Sequence, residues 1–229
     1  MLRRWTFVTL VSGAAPLVSP PLRRSATALA VASALVLVAL AARYRDTGAA
    51  GQLDLAVMSR IQDLLANHSQ QLWLIVRLGH PVPIFVMAVL LALVCLATRR
   101  PRLAVLAFAG PGATGIATTV LQPIVGRTLE GVFALPSGHT GAVTAIATVA
   151  ALAITGSVRT RLVTVAAVAT AGVFAVGTVM GIALIANGLH YPTDVVAGFC
   201  AALTIVLGLG LGFDSIVPRA RRRSPPAIS

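Results

Sequence analysis

Six long runs of apolar residues divide this chain and restrict it to very few folds. They cover residues 26–42, 80–98, 103–121, 137–156, 162–186 and 192–213, and Asp194 is the only Asp, Glu, Lys or Arg inside them. Runs of about 20 apolar residues are long enough to cross a bilayer as helices. Only 10% of the residues are charged, against about 25% in soluble domains. We therefore predict an all-α integral membrane protein with six transmembrane helices.

The most polar stretch, residues 43–79, lies between the first two runs. Apolar residues recur there at helical spacing, with charged residues between them. The apolar set is Leu53, Val57, Ile61, Leu64 and Leu65, and the charged set is Asp54, Arg60 and Asp63. A helix with one apolar and one charged face lies in the membrane interface. We predict such an amphipathic helix after the first membrane helix.

The arginines report the orientation of the chain. All 18 basic residues are arginine, and the formal net charge is +12. With six crossings, both tails and the loops 99–102 and 157–161 lie on one side of the membrane. This side holds 13 arginines and one acidic residue, whereas the opposite side holds five arginines and five acidic residues. Positive charge concentrates on the cytoplasmic side. We predict cytoplasmic tails at 1–25 and 214–229 around a membrane domain at 26–213, and no nucleic-acid partner.

The two cysteines give no sign of a disulfide or of a metal site. Cys95 and Cys200 both lie inside apolar runs, where lone cysteines are typically small buried residues. We therefore predict neither a metal nor a cofactor. The oligomeric state is left open.

The fourth apolar run opens with an unusual polar motif, Pro136-Ser137-Gly138-His139. Pro136 and Ser137 are typical of a helix start, with Ser137 as the N-cap. Gly138 allows close approach to the backbone. His139 lies in the first turn, beside free N–H groups and the positive end of the helix dipole. The motif predicts an anion site with His139 as a candidate general acid.

A second polar group opens the last run, and it contains His190 and Asp194. A carboxylate bonded to one imidazole nitrogen fixes the tautomer and leaves the other nitrogen free to attack. His190 is therefore a candidate nucleophile, with Asp194 as its partner. The arginine count places both helix starts on the extracytoplasmic side. We predict that they face each other across one phosphate.

These motifs resemble those of the type 2 phosphatidic acid phosphatase superfamily, over roughly residues 80–213. Its members are six-helix, metal-independent lipid phosphate phosphatases. The resemblance implies that His190 attacks phosphorus to form a phosphohistidine, that Asp194 orients it and that His139 protonates the leaving group. It also implies that Ser137 and Gly138 bind the phosphate.

Cationic residues of the family are replaced in this chain. Gln122 and Leu129 stand at the lysine and arginine of the first motif, and Ala183 and Leu184 at the serine and arginine that begin the third. Arg127 is the one cation left in the first-motif loop. Because phosphate near a low-dielectric membrane edge needs polar partners, we predict that Arg127 and Gln122 help to bind it.

Two functions are consistent with this pattern. The first is hydrolysis of a lipid phosphate or polyprenyl pyrophosphate, which in a bacterial cell envelope would serve lipid carriers. The second is a weak or inactive family member that binds a lipid phosphate or acts as a partner in an envelope complex. The intact Ser137, His139, His190 and Asp194 favour the first, since binding alone needs no activated histidine.

Overall fold

Helices make up most of the described chain. A computed structural model describes residues 15–158 and 160–223. The helices are α1 Arg23–Arg43, α2 Gln52–Leu65, α3 Ser69–Leu78, α4 Pro81–Ala97, α5 Pro101–Val125, α6 Gly138–Thr155, α7 Leu162–Ala186 and α8 Pro192–Arg223. Short 3-10 turns lie at Pro20–Leu22 and Ala66–His68. Strands β1 Thr128–Leu129 and β2 Val132–Phe133 form one antiparallel hairpin between α5 and α6.

The helices confirm the prediction of an all-α membrane protein. Among the described residues, α1 with its preceding turn, α5, α6, α7 and α8 are long and apolar enough to cross a membrane. α4 provides a sixth crossing when it is taken together with residues 52–78, which meet it at a bend of 56°. The predicted amphipathic stretch forms two consecutive helices, α2 and α3.

Three helix limits differ from the prediction by three residues or more. α1 begins at Arg23 rather than residue 26, α5 ends at Val125 rather than 121, and α8 continues to Arg223 rather than ending at 213. Parts of both predicted tails, residues 1–14 and 224–229, lie outside the described residues, as does Arg159. Where the chain is described, these tails are continuous with the membrane helices.

Glycines let α8 approach its neighbours closely. A Cβ on Gly177 or Gly181 of α7 would lie 2.6 or 2.4 Å from a side chain of α8, and small residues four positions apart allow such close packing of membrane helices. A Cβ on Gly198 of α8 would lie 2.2 Å from the carbonyl oxygen of Ser137. The backbone of α8 therefore touches the start of α6.

A buried carboxylate joins the two ends of the described chain. Asp214, in α8, accepts hydrogen bonds from the N–H groups of Leu17 at 2.9 Å and Val18 at 3.0 Å. Arg102 of α5 forms an ion pair with it at 2.8 Å. Asp194 lies 20 residues earlier in α8, about 30 Å away along the axis. Because both residues belong to one continuous helix, Asp194 and Asp214 lie at opposite ends of the bundle.

Candidate active site

The start of α6 has the geometry that its motif predicts. Ser137 is the N-cap, and its Oγ accepts a hydrogen bond from the N–H of Thr140. The N–H groups of Gly138 and His139 precede the first intrahelical donor and have no helical acceptor. A Cβ on Gly138 would meet only the hydroxyl of Thr118, at 3.6 Å. This leaves room for a ligand beside the two N–H groups.

His139 is half-buried at this helix start. Its Nε2 is buried and has no hydrogen-bond partner among the described residues. The ring packs on Gly79, where a Cβ would lie 2.7 Å from its Cδ2. The imidazole of His80 contacts it edge-on, with the ring centroids 5.0 Å apart. His139 therefore packs against the turn between α3 and α4.

His190 and Asp194 lie side by side at the start of α8. Nδ1 of His190 is 3.7 Å from Oδ2 of Asp194, which is longer than a hydrogen bond. That Nδ1 is buried without a partner among the described residues. The same Oδ2 accepts the N–H of Tyr191 at 2.9 Å. Such contacts often shorten once substrate binds, and Asp194 is placed to receive the imidazole N–H.

The backbone joins the two helix starts directly. The N–H of Ser137 donates to the main-chain carbonyl of Asp194 at 3.0 Å. Both residues are fully buried. Together with Gly198, this bond holds the motif of α6 against the motif of α8. The structure therefore brings Ser137, Gly138 and His139 together with a second group, His190 and Asp194, which lies about fifty residues later in the sequence.

Arg127 has a different place from the one expected of a phosphate ligand. It is fully buried, and its guanidinium lies between two carboxylates. Nη1 donates to Oδ1 of Asp194 and to Oγ1 of Thr193, both at 2.6 Å, and Nη2 donates to Oδ2 of Asp54 at 2.6 Å. Both terminal nitrogens are thus occupied by protein acceptors. In this geometry Arg127 supports Asp194, and its ion pairs are made with protein carboxylates.

Two tyrosines enclose the guanidinium of Arg127. Its central carbon lies 3.9 Å from the ring centroid of Tyr44 and 4.4 Å from that of Tyr191. Cations stack favourably on aromatic faces, and more so where water is excluded. Burial raises the pKa of the Tyr191 phenol, so this ring stays uncharged at neutral pH. The tyrosines keep Arg127 in one position.

Asp54 is a site residue that the sequence pattern assigned to the charged face of an interfacial helix. It is fully buried. Oδ1 accepts the N–H of Thr193 at 3.0 Å, and Oδ2 accepts the Thr193 hydroxyl at 2.9 Å. Asp54 of α2 therefore caps the start of α8. Of the two helix starts predicted to face one phosphate, the start of α6 therefore keeps free N–H groups, whereas those of Thr193 and Asp194 at the start of α8 are occupied.

The positions that hold cations in the family have structural roles here. The side-chain amide of Gln122 donates to the carbonyl of Pro136 at 3.2 Å, which braces the loop before the motif. Ala183 and Leu184 are fully buried, and Leu184 packs in a cluster with Val76. An arginine at position 184 would lack the space and the water that it needs. Phosphate binding through Gln122 stays a prediction.

The candidate site therefore consists of two helix starts that carry the motifs and are joined at one end of a helical membrane bundle. Residues 123–213 match the family model of the PAP2 superfamily, which confirms the predicted resemblance over that segment. The fold is similar to the crystal structure of the first transmembrane PAP2 type phosphatidylglycerolphosphate phosphatase from Bacillus subtilis. The TM-score is 0.57 at 18% identity, covering 87% of this chain and 98% of that chain. A comparison with curated proteins finds no match.

The family match and the fold agree on one class. This chain is an all-α multi-pass membrane protein, its fold is similar to that of a transmembrane PAP2 type phosphatase, and its residues 123–213 match the PAP2 superfamily model.

Proposed function

We propose that this protein is a metal-independent membrane phosphatase that removes phosphate from a lipid phosphate or an isoprenoid pyrophosphate through a phosphohistidine on His190. The observation that carries the proposal is the joining of two helix starts: that of α6, which carries His139, and that of α8, which carries Asp194 beside His190. A nucleophile, its carboxylate partner and a proton donor converge there beside free N–H groups. Phosphoryl transfer needs this combination of positioning and hydrogen-bond donors.

The reaction would proceed in two displacements. Nε2 of His190 attacks phosphorus, the bond to the leaving oxygen breaks, and His139 gives that oxygen a proton. Asp194 stabilises the positive imidazole ring that results. Water then attacks the phosphohistidine, His139 takes a proton from it, and inorganic phosphate leaves. The N–H groups of Gly138 and His139 hold the equatorial oxygens during both steps.

A groove beside His139 supports a lipid substrate. Its volume is about 650 Å³, and Gly138 and His139 lie on its wall. The rest of the wall comes mainly from α4 and α5, including Ile84, Phe85, Phe108 and Ile116. An acyl or isoprenoid chain lying in this apolar groove would place its phosphate at the start of α6. The Bacillus subtilis protein of similar fold makes a phosphatidylglycerolphosphate a sensible first substrate to test.

The orientation of the site is part of the proposal. The arginine distribution favours cytoplasmic termini and a site on the extracytoplasmic face. The hydrogen bonds that Asp214 accepts from Leu17 and Val18 support this orientation, because they place both described chain ends at the end of the bundle away from His190. A reporter fused after Leu189 is expected on the outside, and a cytoplasmic reporter there would contradict this orientation.

The test is phosphate release by the purified protein in nanodiscs. Lipid monophosphates and polyprenyl pyrophosphates are supplied with EDTA present. We expect release by the wild type, none by His190→Ala, and normal release by His68→Ala, which alters an exposed histidine outside the site. Acid-labile, base-stable labelling from ³²P-lipid should map to position 190. Undiminished release by His190→Ala would refute the mechanism, and loss of release in EDTA would refute metal independence.

One observation favours the second candidate, a lipid-phosphate binder that does not turn its ligand over. Both terminal nitrogens of Arg127 are bound to protein acceptors, so the site relies on N–H groups and imidazoles for phosphate. Binding of a lipid phosphate without phosphate release, across the whole substrate panel, would support the binder. Release from any member of the panel would support the phosphatase.

A further inference from the structure

Helix α2 lies outside the segment that matches the PAP2 superfamily, yet it reaches into the site. Asp54 is in its first turn, and its carboxylate contacts both Arg127 and Thr193. We infer that Asp54 is a positioning residue for phosphoryl transfer, which acts through Arg127 and Thr193 to hold Asp194 beside His190. The inference rests on the proposed function and assigns α2 a role in that site beyond contact with the membrane interface.

The guanidinium fixes the two carboxylates relative to each other. Arg127 uses Nη1 for Asp194 and Nη2 for Asp54, each at 2.6 Å. Its planar fork presents donors in fixed directions, unlike a lysine ammonium. All three side chains are fully buried, where charged hydrogen bonds are strong and a lost partner is costly. A displacement of Asp54 therefore moves the donor that orients Asp194.

Asp54 also fixes the residue next to Asp194. It accepts both the N–H and the hydroxyl of Thr193, and that hydroxyl also accepts from Arg127. Asp54 thus holds the first turn of α8 through one backbone N–H group and one side-chain hydroxyl. With Oδ1 of Asp194 bound to Arg127, Oδ2 is the oxygen that faces Nδ1 of His190.

Charge gives Asp54 a role that packing alone would not. Arg127 and Asp194 by themselves form a neutral pair. Asp54 restores one negative charge to the buried group, and phosphorylation of His190 creates a positive imidazole ring next to it. Buried charges interact strongly because little water screens them. The carboxylate of Asp54 therefore favours the charged intermediate, whereas an uncharged isostere would not.

The test compares Asp54→Asn with Asp63→Asn in nanodiscs. Both positions are on α2, but Asp63 is exposed. We expect kcat for the best lipid phosphate to fall about 10- to 100-fold in Asp54→Asn, because small displacements of reacting groups slow a reaction by such factors. KM should stay within about threefold, since the groove and the α6 start are unchanged. Asp63→Asn should retain wild-type kcat and KM.

A second readout does not depend on turnover. The ¹⁵N shifts of the His190 ring report which nitrogen carries the proton, and contact with Asp194 favours a proton on Nδ1. We expect the Nδ1–H form to lose population in Asp54→Asn and to keep it in Asp63→Asn. If wild-type protein releases no phosphate, the proposed function fails while this measurement still tests Asp54.

A third variant tests the same inference in case Asp54→Asn folds poorly. Arg127→Lys keeps the charge but cannot bridge both carboxylates, so it should show the same fall in kcat and the same change in the His190 ring. Rates are expressed per folded molecule, as counted by size-exclusion chromatography. Wild-type kcat and an unchanged His190 tautomer in either folded variant would overturn the positioning role.

Discussion

Gly198 holds the two helix starts of the site together, so its substitution by alanine should separate them. The new Cβ would lie 2.2 Å from the carbonyl oxygen of Ser137 and 3.1 Å from its carbonyl carbon. An ordinary carbon–oxygen contact is about 3.3 Å, so α8 and the start of α6 must part by about 1 Å. The obstructing atoms are backbone and cannot rotate away as a side chain can.

The expected cost is larger for activity than for stability. Overpacking destabilises by about 1–3 kcal/mol, and the better helix propensity of alanine offsets about 1 kcal/mol of this. A displacement of about 1 Å between reacting groups can slow a reaction by about 100-fold. The displacement falls between the N–H groups of Gly138 and His139 and the proposed nucleophile His190. We therefore expect kcat to fall about 100-fold while Tm decreases by only a few degrees.

Gly208→Ala is the matched control on the same helix. A Cβ there meets nothing within 4 Å, so its Tm should be equal or higher and its kcat unchanged. Both variants are assayed in nanodiscs by phosphate release from a lipid monophosphate and by thermal unfolding. Wild-type kcat in Gly198→Ala, or equal impairment of Gly208→Ala, would refute the argument from backbone contact.

Three further predictions concern neighbouring contacts. Gly79→Ala places a Cβ 2.7 Å from the ring of His139. It should slow phosphate release from lipid phosphates more than from p-nitrophenyl phosphate, because the leaving group of the latter needs little protonation. Equal slowing with both substrates would argue against His139 as a general acid. Asp214→Asn removes the ion-pair partner of the buried Arg102 and should lower the free energy of unfolding by about 3 kcal/mol with normal kcat, as thermal unfolding and initial rates would show. Tyr44→Leu removes one aromatic face from the buried guanidinium and should destabilise by about 1–2 kcal/mol, measured by unfolding; no loss would show that Tyr191 suffices.

Local features of the sequence predicted much of the fold. Apolar runs identify membrane helices because hydrophobic length is a property of one segment. Ser137 is recognisable as an N-cap because its acceptor role involves Thr140, three residues away. The pair Gly177 and Gly181 marks a close helix contact for the same reason. Each of these signals lies within a few residues of the structure that it specifies.

The support of the site was harder to predict because it joins distant segments. Asp54 and Thr193 are 139 residues apart. Asp54 and Asp63 both stand among apolar residues at helical spacing, yet only Asp54 is buried. Periodicity describes the faces of a helix and not the partner that each face meets. The sequence likewise predicts Arg127 at the phosphate, because its two carboxylate partners cannot be recognised from the loop that contains it.

The carboxylate of Asp214 has a consequence for the biogenesis of this protein. Leu17 and Asp214 are separated by 197 residues, and α1 has only two buried residues, Ala30 and Ser33. Its mean hydropathy of 2.2 lets it remain in the bilayer alone during translation. Its contacts with α8 form only after the last helix has been inserted. A chain truncated before Asp214 would leave the N–H groups of Leu17 and Val18 without this acceptor, so this contact between the two helices can form only after Asp214 has been synthesised.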